Sequence, residues 1–186
     1  MRHLPNMLSA ARIACFPFLL LLAGQGREKA FTWLLLAALL SDILDGQIAR
    51  RCGVTSSRGA MLDSIADALT TGATAFGLWC LRPDFMQEYG PFILLVLGLW
   101  VLEMAASFWR YGQLSSFHTY AIRAGAYALG IFVMVLLIWG FNSWLFAAAV
   151  AINVAGYLEE FLLLWLLPQW TADVRGAWWV LRARRG

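Results

Sequence analysis

The chain has 186 residues, of which 61% are hydrophobic and 13% charged, with a mean hydropathy of +0.69 and a formal net charge of +3. Soluble domains carry about 25% charged residues, so this composition excludes a water-exposed globule and points to a polytopic membrane protein. The fourteen basic residues form no basic stripe interleaved with aromatics, which excludes nucleic acid as a partner, and three cysteines without a CxxC exclude a disulfide framework.

In chain order, residues 3–12 contain Pro5, Asn6, Ser9 and Arg12 and predict a short amphipathic segment at the membrane interface. It runs into an apolar stretch that ends near Ala23 and is broken by Gly24-Gln25-Gly26. No small-residue cleavage site follows, so the stretch reads as a first membrane helix and not as a cleaved signal. A second span covers about residues 30–50 and carries Asp42 and Asp45 in its last third. A third covers about 59–81, opens with Asp63 and Asp67, and turns apolar only after Ala68. Arg82-Pro83-Asp84 through Gly90-Pro91 predicts a loop. Three more spans follow at about 92–109, 119–139 and 144–167, with a polar connection at 110–117, a tight turn at 140–143 and Pro168 as a stop. Each is long enough for about 30 Å of hydrocarbon at about 1.5 Å per residue. The tail, 169–186, holds Trp170, Trp178, Trp179 and four arginines, an interfacial anchor pattern. The expected fold is all-α, a single membrane domain over 1–186 with six transmembrane helices behind the N-terminal interfacial segment.

Charge sets the expected orientation. With the N-terminus inside, the cytoplasmic segments hold Arg2, Arg12, Arg50, Arg51, Arg58, Arg110, Arg123, Arg175, Arg182, Arg184 and Arg185. The outer segments hold only Arg27, Lys29 and Arg82. The positive-inside rule therefore predicts N-in and C-in. Glu103 in the fourth span, and Glu159 and Glu160 in the sixth, are expected to point inward, since a lipid-facing carboxylate is costly.

The polar heart of the chain is the stretch from Asp42 to Asp67. Asp42 and Asp45 are three apart and Asp63 and Asp67 four apart, spacings that put each pair on one helix face. Four carboxylates this close repel one another unless a cation neutralises them. Hard oxygen donors suit Mg²⁺ or Mn²⁺, which keep coordination places open for phosphate oxygens. The bland alternative is a set of solvated charges at helix ends. Next to membrane-length apolar runs, ionisable groups favour function. Gly46, Ala49 and Gly59 permit close approach of a ligand, and Arg50 offers a planar fork to phosphate. Helix packing and topology would explain the same residues singly.

Asp42-x2-Asp45-Gly46-x2-Ala49-Arg50-x8-Gly59-x3-Asp63-x3-Asp67 resembles, at all eight fixed positions, the signature of the CDP-alcohol phosphotransferase (CDP-alcohol phosphatidyltransferase) family. Pro5-Asn6-x-Leu8-Ser9-x2-Arg12 is similar to the opening segment of that family. The resemblance implies a phospholipid synthase that moves the phosphatidyl group of CDP-diacylglycerol to a small polar alcohol and releases CMP. It implies two divalent cations, Mg²⁺ or Mn²⁺, with Asp42 and Asp63 touching both, Asp45 one and Asp67 the other. It implies that Asp67 is also the base for the acceptor hydroxyl, and that Asn6, Gly46, Arg50, Ser56 and Gly59 meet the CDP-lipid. The same likeness implies a homodimer, and the orientation set by charge puts the site at the cytoplasmic face, in what is expected to be a bacterial inner membrane.

The acceptor is the less legible part. Arg110, His118 and Arg123 flank the fourth-to-fifth connection and are candidates for binding a phosphate on the acceptor, such as glycerol 3-phosphate, the expected acceptor, or an inositol phosphate; positive-inside topology explains them equally. The stretch Leu62-Asp63-Ser64-Ile65-Ala66-Asp67-Ala68 looks like members that use serine, and no lysine follows Asp67, where members that use glycerol phosphate often carry one. Serine and inositol (phosphate) are therefore the alternatives. His3 and His118 form no HxK pair, which disfavours a phosphohistidine route. A reading from another class is a divalent-cation transporter, but a transport path needs carboxylates near mid-membrane and leaves the Gly-x2-Ala-Arg element without a role.

Overall fold

The computed structural model describes residues 4–52, 57–113, 115, 117, 119–171 and 174–183, with side chains described over 7–44 and 62–182 within that set. Among the described residues all regular structure is helical: α1 (Leu4–Gly24), α2 (Glu28–Cys52), α3 (Ser57–Leu81), α4 (Pro83–Tyr111), α5 (Tyr120–Ile138), α6 (Ser143–Leu166) and α7 (Ala177–Ala183). They fall into two compact units, Met1–Gln87 and Glu88–Gly186.

The first unit is α1 packed against both α2 and α3. Each helix buries one stripe at helical spacing. On α1 the stripe is Ser9, Arg12, Leu19 and Ala23; on α2 it is Phe31, Leu35 and Ala38; on α3 it is Ala66, Thr70 and Ala73. The opposite faces present large apolar side chains outward, among them Phe18, Leu21, Trp33, Leu40, Phe76 and Trp79. Bulky apolar groups on the outer faces, with small and polar groups such as Ser9, Arg12, Ala66 and Thr70 among those inside, are what a lipid surround favours. Threonine hydroxyls inside the stripes satisfy themselves on the preceding turn: Thr32 donates to the Glu28 carbonyl at 2.8 Å and Thr70 to that of Ala66 at 2.8 Å. Gly77 lets α3 close on α2, because a Cβ there would fall within the Phe31 ring, 2.7 Å from Cε2. Arg82 pairs with Glu28 at the far end, where α2 starts and α3 stops.

The second unit is built on α5 against α6. The two approach closely at Gly125 and Gly156, where a Cβ would meet Asn153 and Ile122 at 2.9 Å. Asn153 lies buried in this seam and donates to the Gly125 carbonyl at 2.9 Å and to that of Ala149 at 2.8 Å. Small residues and an interhelical hydrogen bond are the usual glue between helices in lipid. Tyr89, Phe92, Phe132, Phe141 and Phe146 pack ring against ring at one end. At the other end Tyr111 donates to the Leu167 carbonyl at 2.8 Å. Thr119 and Asn142 cap the N-termini of α5 and α6.

Among the described residues, four helices are long and apolar enough to cross a bilayer, Met7–Gly24, Pro83–Tyr111, Tyr120–Ile138 and Ser143–Leu166, as in a polytopic membrane protein. α2 and α3 are 25 residues each, and both extend into residues whose side chains are outside the described set. The expected loop over 82–91 is a correction: only Arg82 separates α3 from α4, and residues 83–91 are the first turns of α4. Pro83 takes the first helical position, where a missing N–H costs nothing, and Pro91 is carried inside the helix. The N-terminal segment and the first apolar run are one helix, and its polar residues Ser9 and Arg12 are buried.

Candidate metal centre

The buried stripe of each helix in the first unit continues into a charged group at the same end. On α2, positions 31, 35 and 38 lead to Asp42; on α3, Asp63 and Asp67 adjoin Ala66, Thr70 and Ala73; on α1 the stripe holds Arg12. Antiparallel packing therefore brings the three carboxylates around one guanidinium. Arg12 donates through Nη1 to Asp42 Oδ1 at 2.5 Å and to Asp67 Oδ1 at 2.6 Å, and through Nη2 to Asp63 Oδ1 at 2.5 Å.

Access is asymmetric. The Arg12 side chain is 2% exposed, whereas those of Asp42, Asp63 and Asp67 are 41, 45 and 49% exposed. The guanidinium thus lies beneath the cluster while the carboxylates open outward. One ligand oxygen from each aspartate lies within 4.8 Å of the others, a separation one metal ion can bridge. Among the described residues a single guanidinium stands against three carboxylates, an arrangement that favours further cationic charge at the open face. Charge, hard oxygen donors and accessibility all suit Mg²⁺ or Mn²⁺.

The other expected site residues divide into two sets. Asp45, Gly46 and Arg50 lie on α2, Gly59 on α3 and Asn6 on α1, but their side chains, like all of Ser56, are outside the described residues. Arg110 and Arg123 belong to the second unit, and His118 is outside the described residues. Arg110 donates to the Leu167 carbonyl at 3.3 Å and lies 5.5 Å from the Tyr111 ring centroid, partners that close the end of α6. Arg123 sits on the first turn of α5.

Arg12 was not among the expected site residues. The signal for it was present: it is a lone charge on a membrane-length apolar helix, and such a charge needs a partner. The inward aim expected of the glutamates holds for Glu103, which is fully buried, and Glu160, 4% exposed. Glu159 serves the structure, accepting from the Ala177 N–H at 2.9 Å at the start of α7.

Comparison with known proteins follows the same lines. The chain is similar to a CDP-diacylglycerol–glycerol-3-phosphate 3-phosphatidyltransferase of Arabidopsis thaliana, 36% identical over 47% of this chain and 30% of the relative. It is similar to a cardiolipin synthase (CMP-forming) of Oryza sativa subsp. japonica, 34% identical over 53% of this chain and 31% of the relative. It is also similar to a CDP-diacylglycerol–inositol 3-phosphatidyltransferase of Saccharomyces cerevisiae, 33% identical over 52% of this chain and 42% of the relative. The matched region spans less than half the length of these three relatives. No solved structure matches. The profile of the CDP-alcohol phosphatidyltransferase family matches residues 2–155, most of the chain and all of the carboxylate cluster, and the chain belongs to that family.

Proposed function

We propose that the protein is a membrane phospholipid synthase that transfers the phosphatidyl group from CDP-diacylglycerol to a small polar alcohol, with glycerol 3-phosphate as the favoured acceptor. The observation that carries this reading is the convergence of Asp42, Asp63 and Asp67 from two helices on an open face, in a chain of this family. The names of its relatives support transfer from CDP-diacylglycerol to glycerol 3-phosphate or inositol.

In this reading Asp42, Asp45, Asp63 and Asp67 hold two divalent cations, Mg²⁺ or Mn²⁺. Bound there, the cations supply charge neutralisation for pyrophosphate oxygens. The chain's own residues do the rest. Asn6, Gly46, Arg50, Ser56 and Gly59 seat the CDP-lipid, the glycines by leaving room and Arg50 by its planar donors. Asp67, the most exposed of the three described carboxylates, accepts the proton of the acceptor hydroxyl. That oxygen forms the new bond to the lipid-side phosphorus, the bond from this phosphorus to the CMP oxygen breaks, and CMP leaves. A base is useful only within hydrogen-bond reach of the attacking hydroxyl, and the open face supplies that reach. Arg110, His118 and Arg123 bind a phosphate on the acceptor; serine and inositol (phosphate) are the alternatives.

The wider arrangement belongs to the same proposal: six spans, with α2 and α3 crossing alongside the four strongly apolar helices, N-in and C-in, the site at the cytoplasmic face of a bacterial inner membrane, and a homodimer. Outward-facing Trp33, Leu40, Phe76 and Trp79 support α2 and α3 as lipid-facing.

The test is CMP release by purified protein in detergent with CDP-diacylglycerol and Mg²⁺ or Mn²⁺. Glycerol 3-phosphate, serine, inositol and inositol phosphate are added in turn, with an acceptor-free control. Release that needs the metal and one acceptor is expected. No release with any acceptor, together with cation uptake into proteoliposomes lacking the lipid substrate, overturns the synthase in favour of a transporter.

A further inference from the structure

Arg12 and a metal ion draw on the same three carboxylates. The guanidinium donates to one oxygen of each of Asp42, Asp63 and Asp67, and these three residues make up the candidate ion site. Each carboxylate keeps further lone pairs for a cation, but a guanidinium and a divalent ion gathered on the same three carboxylates repel each other and compete for the same negative charge. Arg12 is also placed to stay close after displacement, because it is buried on α1 beneath the cluster while the carboxylates are about half exposed. Arginine fits this role because its planar fork engages several carboxylates at once and keeps its charge at every physiological pH.

We propose that Arg12 is the resident counter-ion of the carboxylate cluster. In the cation-free protein it holds Asp42, Asp63 and Asp67 converged on one point, and it yields their oxygens as divalent cations enter from the open face. Arg12 is thus a positioning residue with two opposed effects. It stabilises the assembled site before metal arrives, since without it three like charges face one another. It also weakens metal affinity, since its positive charge stays a few ångströms from the ions and competes for their ligands. The inference rests on the reading of this cluster as a metal site.

The two effects separate in one experiment. Mn²⁺ affinity is measured by titration calorimetry and electron paramagnetic resonance on purified protein in detergent without lipid substrate. Thermal unfolding is followed in EDTA and in saturating Mn²⁺. Arg12→Gln is expected to unfold several degrees earlier in EDTA and yet to bind Mn²⁺ at least about tenfold more tightly, the lower limit for removing a unit charge about 4 Å from a divalent ion even at water-like screening. The Mn²⁺-induced rise in Tm then exceeds that of the parent. Arg12→Lys keeps the charge, loses the planar fork, and remains testable where the glutamine variant fails to fold; it is expected to shift both quantities in the same directions by less. Unchanged or weaker Mn²⁺ binding in folded variants, with only the EDTA Tm lowered, overturns the proposal and leaves Arg12 a packing residue. A parent protein that binds no Mn²⁺ overturns the metal reading of the cluster, and this proposal with it.

Discussion

At the scale of single residues, chemistry turns on how Asp67 differs from its neighbours. Asp42, Asp63 and Asp67 all touch Arg12, so contact with the guanidinium does not separate their roles. The proposed mechanism does: Asp67 alone removes a proton. Asp67→Asn keeps the shape and removes the basic oxygen. The expected outcome is a fall of about 10²–10⁴-fold in kcat, the span a positioned general base typically contributes. CMP release at saturating acceptor measures it. Excess Mn²⁺ is expected not to restore the rate; rescue by metal would make Asp67 a ligand only. The carboxylate pairs are legible from the sequence because i, i+3 and i, i+4 spacings are local. Arg12 is not legible in the same way. Its partners lie 30, 51 and 55 residues away along the chain, and nothing in the local pattern names them. Its isolation in an apolar helix and its place in the family-like opening segment mark it, but neither points to the carboxylates.

Helices are held together here by what their contact faces lack. α3 carries two interior glycines, Gly72 and Gly77, that make opposite predictions. A Cβ at Gly77 would enter the ring of Phe31, itself fully buried, whereas a Cβ at Gly72 would meet nothing within 4 Å. Gly77→Ala therefore forces α2 and α3 apart and is expected to destabilise by about 1–3 kcal/mol, the usual cost of overpacking. Gly72→Ala fills open space in a helix and is expected to be neutral or to stabilise by up to about 1 kcal/mol. Thermal unfolding of the two variants in the same detergent checks the contrast; equal effects would mean that the α2–α3 contact is not tight. The apolar runs and the stop at Pro168 gave the right helices in the right order. α5 and α6 end within a residue or two of the positions expected from composition. The segment 82–91 failed for a physical reason. Its two prolines and a glycine look like turn chemistry, yet Pro83 stands where a helix needs no N–H, and Pro91 is carried inside a 29-residue helix despite the hydrogen bond it removes.

At the scale of the whole molecule, the open question is on which side of the membrane the carboxylates work. Two topologies share both termini. With six spans and N-in, the α2–α3 connection lies inside. With only the four helices that are long and apolar enough among the described residues crossing, α2 and α3 remain on the outer side, and the C-terminus still ends inside. Reporters at the termini therefore cannot separate them, but a reporter between α2 and α3 can. In a background with Cys15, Cys52 and Cys80 replaced, Thr55→Cys is expected to react with a membrane-impermeant maleimide only after the cells are permeabilised. Gln25→Cys, between α1 and α2, is expected to react in intact cells. The expectation follows from charge and surface together. Arg50, Arg51 and Arg58 crowd the α2–α3 connection, which positive-inside topology retains in the cytoplasm, and the outward faces of α2 and α3 carry tryptophan, leucine and phenylalanine suited to lipid. Labelling of Thr55→Cys in intact cells would put Asp42, Asp63 and Asp67 on the outer side, away from cytoplasmic glycerol 3-phosphate. The proposed acceptor would then fail even if CMP release in detergent succeeded.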